Sequence, residues 1–97
     1  MARYMMLFRY TAQGIKGIKE SPARIEAGRK AFRDHGAEMK EWYLAMGQYD
    51  GVVIAEAPDD ETMAQIALWI GAQGNVSTET MRLFSEGEFM KVLSGLP

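Results

Sequence analysis

The chain has 97 residues, of which 47% are hydrophobic and 25% charged, and its formal net charge is −2. It contains no cysteine and one histidine, which excludes disulfide scaffolds, thiolate metal sites, cysteine nucleophiles and multi-histidine metal centres within one chain. No segment has the pattern of a membrane span or a signal peptide, so we expect one cytoplasmic domain over residues 1–97, with no metal, cofactor or membrane partner.

The first third of the chain predicts a strand and then a helix. Residues Arg3–Tyr10 are mostly aromatic or long apolar side chains with charges at the edges, as is typical of a strand. Thr11–Lys19 contains two glycines and is predicted to be a loop or an irregular helical turn. Ser21-Pro22 predicts a helix start, because serine caps free amides and proline suits the first turn. The helix is predicted to end at Gly36.

The middle of the chain predicts a β-hairpin. Residues 37–46 alternate between apolar and polar side chains, as in a half-buried strand. Gly47-Gln48 is then the predicted turn into a second strand, Tyr49–Ala57. The short connection makes these two strands antiparallel neighbours.

The last third predicts a helix, a strand and a short helix. Pro58 and the three carboxylates that follow it predict a helix start, and this helix is predicted to run to about Gln73 and stop at Gly74. Asn75–Phe84 is rich in threonine and alternates, which indicates a strand. Ser85 and Glu88 form a capping-box pattern before a final amphipathic helix with apolar side chains at Phe89, Val92, Leu93 and Leu96.

The predicted order is therefore β-α-β-β-α-β with a C-terminal helix. This is the α+β, ferredoxin-like arrangement, in which helices cover one face of a four-stranded antiparallel sheet. The other face is expected to be polar in a two-layer protein.

Two predicted strands are instead apolar on both faces. Tyr4, Met6 and Phe8 alternate with Met5 and Leu7, and Val52 and Ile54 alternate with Val53 and Ala55. The uncovered face then measures roughly 320 Å², which is at the scale of the largest apolar patch on a typical monomer. We therefore expect a homodimer or higher homo-oligomer in which two sheets pair as a dimeric α/β barrel with room for a small molecule.

The second long helix is apolar on all sides between Met63 and Ile70. Such a helix is buried on more than one side. Either the C-terminal helix covers its outer surface or a second subunit does.

The segment M-G-Q-Y-D-G-V-V-I-A-E-A-P-D-D, with the later G-N-V-S-T-E-T and the earlier T-A-Q-G-I-K-G-I-K-E-S-P-A-R, resembles the GYD-domain family over nearly the whole chain. The resemblance implies a dimeric α/β-barrel fold and no settled activity. A looser similarity, G-x-Y-D before an apolar strand and G-x-V-x-x-x-T after a helix, is to the effector domains of Lrp/AsnC-type regulators, which bind amino acids at subunit interfaces.

Four residues are weak candidates for proton transfer or ligand contact. Tyr49 and Asp50 are predicted to open the third strand, where they either orient a ligand or serve the hairpin itself. Glu56 ends an apolar strand and would have a raised pKa inside a closed barrel, although it equally well faces solvent. His35 lies in the last turn of a helix, where it either caps carbonyls or acts as a base.

Further ligand-binding candidates lie on the fourth strand and on an aromatic residue. Thr78, Thr80 and Arg82 share one face, and a row of hydroxyls ending in arginine suits a carboxylate. The same threonines are also ordinary strand residues. Trp42 either stacks on a ligand ring or packs in the core.

Charge does not favour nucleic acid as a partner. Residues 1–40 carry nine basic and four acidic groups and residues 41–97 carry two and nine, but acidic residues interleave the basic ones and the net charge is negative. The leading hypothesis is a homodimeric protein that binds a small, partly apolar molecule at the sheet face or the dimer interface. The alternatives are a cofactor-independent enzyme of isomerase or monooxygenase-like type, and a structural or interaction module.

Overall fold

A computed structural model describes all residues, 1–97, as an antiparallel sheet with helices on one face. The strands are β1 (Ala2–Tyr10), β2 (Glu38–Leu44), β3 (Gly51–Ala57) and β4 (Val76–Leu83), in the spatial order β2-β3-β1-β4. The helices are α1 (Ala12–Lys16), α2 (Ser21–Asp34), α3 (Asp60–Ala72) and α4 (Glu86–Ser94), and a short 3₁₀ turn, Ile18–Glu20, precedes α2. The predicted ferredoxin-like α+β arrangement with a C-terminal helix is confirmed.

The strand register assigns each side chain to a face, because directly paired residues point the same way. On the face that α2 and α3 cover, Tyr4 pairs with Ala55 and Arg82, and Met6 pairs with Val53 and Thr80. On the other face, which we call the open face, Met5 pairs with Ile54 and Met81. Both central strands are apolar on both faces, as the sequence predicts.

The core lies between the sheet and the two long helices. Phe32 from α2 and Met63 and Ile66 from α3 are fully buried against the β1 side chains Met6 and Phe8. At the edge of this core the Tyr4 hydroxyl donates to Asp60 at the start of α3, over 2.5 Å. That hydrogen bond ties the central strand to the helix layer.

Helix α1 is held against the loop between α3 and β4. The Thr11 side chain caps α1 and its hydroxyl donates to the Gly74 carbonyl over 2.6 Å. The Thr11 N–H and the Gln13 amide both donate to Asn75, over 3.1 and 2.9 Å. Gly14 is buried at this contact, where an added Cβ would lie only 1.9 Å from the Asn75 carbonyl oxygen.

Two local predictions are wrong. Ser21 does not cap α2: the 3₁₀ turn leads directly into the helix, so Ser21 already has helical backbone angles, and its hydroxyl donates back to the Ile18 carbonyl. Strand β3 begins at Gly51, so Tyr49 and Asp50 do not open it. The hairpin connection is the longer loop Ala45–Asp50, and β2 has an irregularity between Met39 and Glu41.

The C-terminal helix does not cover α3. Every residue of α4 is exposed, including Phe89, Val92 and Leu93 of its apolar stripe. On α3, Leu68 is 75% exposed. Of the two predicted arrangements, burial of α3 by the chain's own last helix is therefore wrong. The Ser85–Glu88 capping box at the start of α4 is confirmed. No helix of this fold has the length and apolar character needed to cross a bilayer.

The contact at Gly14 predicts a large effect of a single methyl group. Gly14→Ala places Cβ against the Asn75 backbone, so the free energy of unfolding should fall by about 1–3 kcal/mol. Gly71→Ala is the matched control, since Gly71 is also helical and nothing lies within 4 Å of its added Cβ. Its unfolding free energy should rise by up to about 1 kcal/mol. Urea denaturation compares the two, and similar values for both would contradict the predicted clash.

Tyr4 predicts a loss of stability in alkali. Burial and the hydrogen bond to Asp60 raise the pKa of Tyr4 from 10.0 to about 12. Between pH 10 and pH 12 the unfolded chain loses the phenolic proton while the folded chain keeps it. The contribution of protonated Tyr4 to the free energy of unfolding is therefore complete below pH 10 and is lost as the pH rises towards 12. The loss amounts to about 2–3 kcal/mol. Tyr4→Phe should flatten this part of the stability profile measured by urea denaturation at each pH, and an unchanged slope would refute the assignment.

Candidate functional site

The open face has an apolar centre with charged groups at both ends. Met5, Leu7, Val52 and Ile54 form the centre and are half-buried by their neighbours. Met81 on the β4 edge is 38% exposed, and Tyr43 on the β2 edge is 52% exposed. One copy of the chain therefore leaves a continuous apolar strip in contact with water.

Tyr49 lies at the upper end of this face, near the C-terminal end of β1. Its hydroxyl donates to the Glu79 carboxylate, and the Arg9 guanidinium lies 4.4 Å from the centre of its ring. The hydrogen bond to Glu79 is the main cause of the raised pKa of Tyr49. The phenol thus bridges β1 and β4 and is held protonated, which makes it a hydrogen-bond donor and not a base near neutral pH.

Asp50 and Gln48 fasten the hairpin loop to the end of β1. The Asp50 carboxylate accepts the Tyr10 N–H over 2.9 Å, and the Asp50 N–H donates to the Phe8 carbonyl over 2.8 Å. Arg9 Nε donates to the Gln48 carbonyl over 2.7 Å. Each of these bonds supports the hairpin.

Glu56 lies at the opposite end of the open face from Tyr49. Its carboxylate pairs with Arg3 at 3.0 Å and lies 4.0 Å from Lys40 Nζ. The hydrogen bond from Arg3 is the main reason that the pKa of Glu56 is lowered. The raised pKa expected of a base in a closed barrel is therefore not found in the single chain.

The three candidate residues of β4 share one face of the strand, as predicted, and the register shows that it is the helix-covered face. Only Arg82 has a defined set of partners. Thr78 and Thr80 pair with Phe8 and Met6 on the edge of the sheet. The Arg82 guanidinium lies 4.5 Å from the centre of the Phe84 ring and forms an ion pair with Glu88 at 3.5 Å. These contacts hold the start of α4, so Arg82 acts locally as a support for that helix.

His35 is remote from the other candidates. It follows α2, and its Nδ1 lies 2.8 Å from the Ala31 carbonyl oxygen, which makes it a donor to the helix end. The structure therefore separates the predicted site residues. Tyr49 and Glu56 occupy opposite ends of the open face, while Trp42, Thr78, Thr80 and Arg82 belong to the other face.

A cavity of about 180 Å³ lies on the helix-covered face, between α2 and α3. The sheet contributes its floor, and Ile25 and Gly28 of α2 face Trp69 and Ile70 of α3 across it. The floor consists of large apolar or aromatic side chains: Met6, Phe8, Tyr10, Met39, Trp42 and Val53. Of the predicted ligand contacts, only Trp42 lines this cavity.

Sequence reasoning missed the other cavity residues. The one signal for them is Gly28, a residue without a side chain in the apolar stripe that α2 turns towards the sheet. An added Cβ at Gly28 would lie 3.3 Å from Met39 Cε, so glycine keeps this part of the interior open. Arg9 and Glu79, the partners of Tyr49, were also missed, because neither is close to it in sequence.

Comparison with known proteins gives one curated relative. The chain is 32% identical over 82 residues to a protein of Thermus thermophilus named glutamine synthetase and cystathionine beta-lyase binding protein. The matched segment covers 84% of this chain and 86% of that protein.

Solved structures of similar fold include regulatory proteins of Mycobacterium tuberculosis. The leucine response regulatory protein matches with a TM-score of 0.65 and 13% identity, over 87% of this chain and 51% of that one. A feast or famine regulatory protein complexed with L-methionine matches with a TM-score of 0.66 and 13% identity, over 88% of this chain and 51% of that one. This chain thus spans about half the length of these regulators, and the likeness shows the fold alone.

The model of the GYD domain family matches residues 4–93. This range includes the loop segment Gly47–Asp50, which clamps β1, and the Thr11–Gly14 and Gly74-Asn75 segments, which hold α1. The chain belongs to the GYD domain family.

Proposed function

We propose that the chain is a single-domain, homodimeric binding protein of the cytoplasm, in which two open faces pair to form a flattened α/β barrel. The observation that carries this proposal is the apolar centre of the open face, formed by Met5, Leu7, Val52 and Ile54. Each end of the face carries both an arginine and a glutamate, Arg3 with Glu56 and Arg9 with Glu79. In either relative orientation of two copies, the arginine and glutamate at each end of one open face therefore lie near groups of opposite charge on the other.

The size of the open face supports association. Pairing two faces of roughly 320 Å² removes about 640 Å² from water, worth ~16 kcal/mol before costs at ~25 cal/mol/Å². Association costs ~4–15 kcal/mol, so the sheet contact alone gives a dimer of modest stability. The small, partly apolar ligand expected from the sequence would, on this proposal, lie at the open face or between the two sheets.

A second candidate function is binding of another protein. The relative from Thermus thermophilus is named for binding two enzymes, and it matches most of this chain. The chain offers apolar surface for such a partner away from the open face, on the exposed residue Leu68 of α3 and the exposed stripe of α4. The dimer would present these helical surfaces twice.

The enzyme alternative has less geometric support. Glu56 is held by Arg3, Tyr49 donates to Glu79, His35 contacts its own helix and Arg82 supports α4. These four groups do not surround a common space, whereas acid–base catalysis needs its groups within hydrogen-bond reach of one substrate.

A charge in the centre of the open face should dissociate the dimer. Ile54→Lys places an ammonium group between two apolar sheets, and native mass spectrometry should then detect monomers where the wild type gives dimers. Leu68→Lys is the control, because it also replaces an apolar side chain by lysine, but at a residue of α3 that is 75% exposed and lies on the helix side of the sheet. This variant should remain dimeric. A monomeric wild type at micromolar concentration would refute the pairing of open faces.

The protein-binding candidate is tested separately with the two enzymes named for the relative, purified from the organism that encodes this chain. We expect surface plasmon resonance to detect binding of at least one, and Phe89→Asp with Leu93→Asp to weaken it by about tenfold or more. Lys91→Gln, on another face of α4, should leave binding unchanged. If neither enzyme binds, this candidate fails while the dimer proposal stands.

A further inference from the structure

The cavity between α2 and α3 is separate from the open face, because the sheet itself lies between them. Strands β1 and β3 contribute Met6, Phe8 and Val53 to its floor and turn Met5 and Ile54 the other way. We propose that this cavity binds a neutral molecule with one aromatic ring and one carbonyl or amide group. The inference goes beyond the dimer and the protein partner proposed above.

The volume of the cavity sets the size of the ligand. About 180 Å³ is slightly more than the roughly 150 Å³ in which an apolar protein cavity holds benzene. One ring with a small substituent fits within this volume, whereas a larger ligand would have to extend through the open side of the cavity. The space depends on Gly28, since any side chain at that position would extend towards Met39.

The floor of the cavity favours a flat aromatic ligand. The Phe8 ring lies 5.5 Å from Tyr10 in an edge-to-face arrangement and 5.8 Å from Trp42 at a tilt of 37°. Trp69 stands on the opposite wall, on α3. A ring placed among these side chains can make the edge and face contacts that aromatic pairs prefer.

Two hydrogen-bond donors in the lining remain uncommitted. The Tyr10 backbone N–H is bonded to Asp50, but neither the Tyr10 hydroxyl nor the Trp42 indole N–H has a hydrogen-bond partner within the chain. Both atoms retain contact with solvent, because no fully buried side-chain polar atom lacks a partner. A ligand that carries a carbonyl oxygen would satisfy one of these donors. The Gln73 side chain donates its NH₂ to the Trp69 carbonyl over 3.3 Å, and its own side-chain carbonyl is left to accept from a ligand amide.

The charge of the lining favours a neutral ligand. Arg24 is the one lining residue with a permanent charge, and its guanidinium donates to the Gly14 carbonyl over 3.0 Å and to Glu20 over 3.2 Å. Its charge is therefore balanced by Glu20 at the mouth of the cavity. A carboxylate ligand would have to compete with that ion pair, whereas an amide would not.

Titration with benzamide tests the proposal on the intact protein. Both tryptophans of the chain line the cavity, so their fluorescence should change saturably with millimolar benzamide. Benzoate, of the same shape but charged, and cyclohexanecarboxamide, without the ring, should each bind about tenfold or more weakly. Tighter binding of benzoate than of benzamide would contradict the inference that the ligand is neutral. Equal binding of cyclohexanecarboxamide and benzamide would contradict the inference that the ligand is aromatic.

Substitutions locate the binding. Gly28→Leu fills the cavity and should weaken benzamide binding by about tenfold or more, while Gly71→Leu, a matched helical position with open space around it, should leave binding unchanged. If Gly28→Leu does not fold, Gly28→Ala, which displaces only the flexible end of Met39, should still weaken binding measurably. Unchanged binding in the Gly28 variants would refute the cavity as the site. If only Ile54→Lys loses benzamide binding, the ligand binds at the open face instead. If Ile54→Lys retains binding, the cavity binds benzamide independently of the dimer.

Discussion

Strand β1 makes the contacts on which the rest of the molecule depends. It is hydrogen-bonded along both edges, to β3 and β4, and it carries apolar side chains on both faces. Met6 and Phe8 are buried under the helices and organise the core with Phe32 and Met63. Because side chains alternate along a strand, the same backbone necessarily presents Met5 and Leu7 on the open face. Strand β1 therefore contributes to the core, to the cavity floor and to the apolar centre of the open face.

The architecture was predictable because its signals are local. Apolar runs marked the two central strands and alternation marked the two edge strands. Gly36 and Gly74 adopt positive φ where the helices were predicted to stop, and the Ser85 capping box forms as expected. Predictions failed where a neighbouring element changed the outcome. Ser21 has the sequence of a helix cap, yet the 3₁₀ turn before it already supplies a helical entry, so its hydroxyl bonds backwards to Ile18.

The candidate site was less predictable than the fold, because it depends on distant pairs and on empty space. The Arg3–Glu56 pair follows from the β1–β3 register, which alternation alone does not determine, and the Tyr49–Glu79 pair joins the hairpin loop to β4. The lowered pKa of Glu56 is a result of that register, since Arg3 is its direct cross-strand partner. The cavity has no sequence pattern of its own. It exists because α2 carries glycine at position 28 where a larger residue would reach Met39.

Several polar residues in the segments that carry the family resemblance make hydrogen bonds that hold the fold together. Asp50 accepts a backbone N–H of β1, Gln48 accepts a hydrogen bond from Arg9, and Thr11 and Asn75 hold α1 in place. A ligand that displaces the partner in such a bond removes a contact that stabilises the fold, which costs about 0.5–1.5 kcal/mol. We therefore expect binding chemistry to come from groups that these bonds leave free. The Tyr10 hydroxyl, the Trp42 indole N–H and the apolar side chains of the open face, α3 and α4 take no part in these bonds.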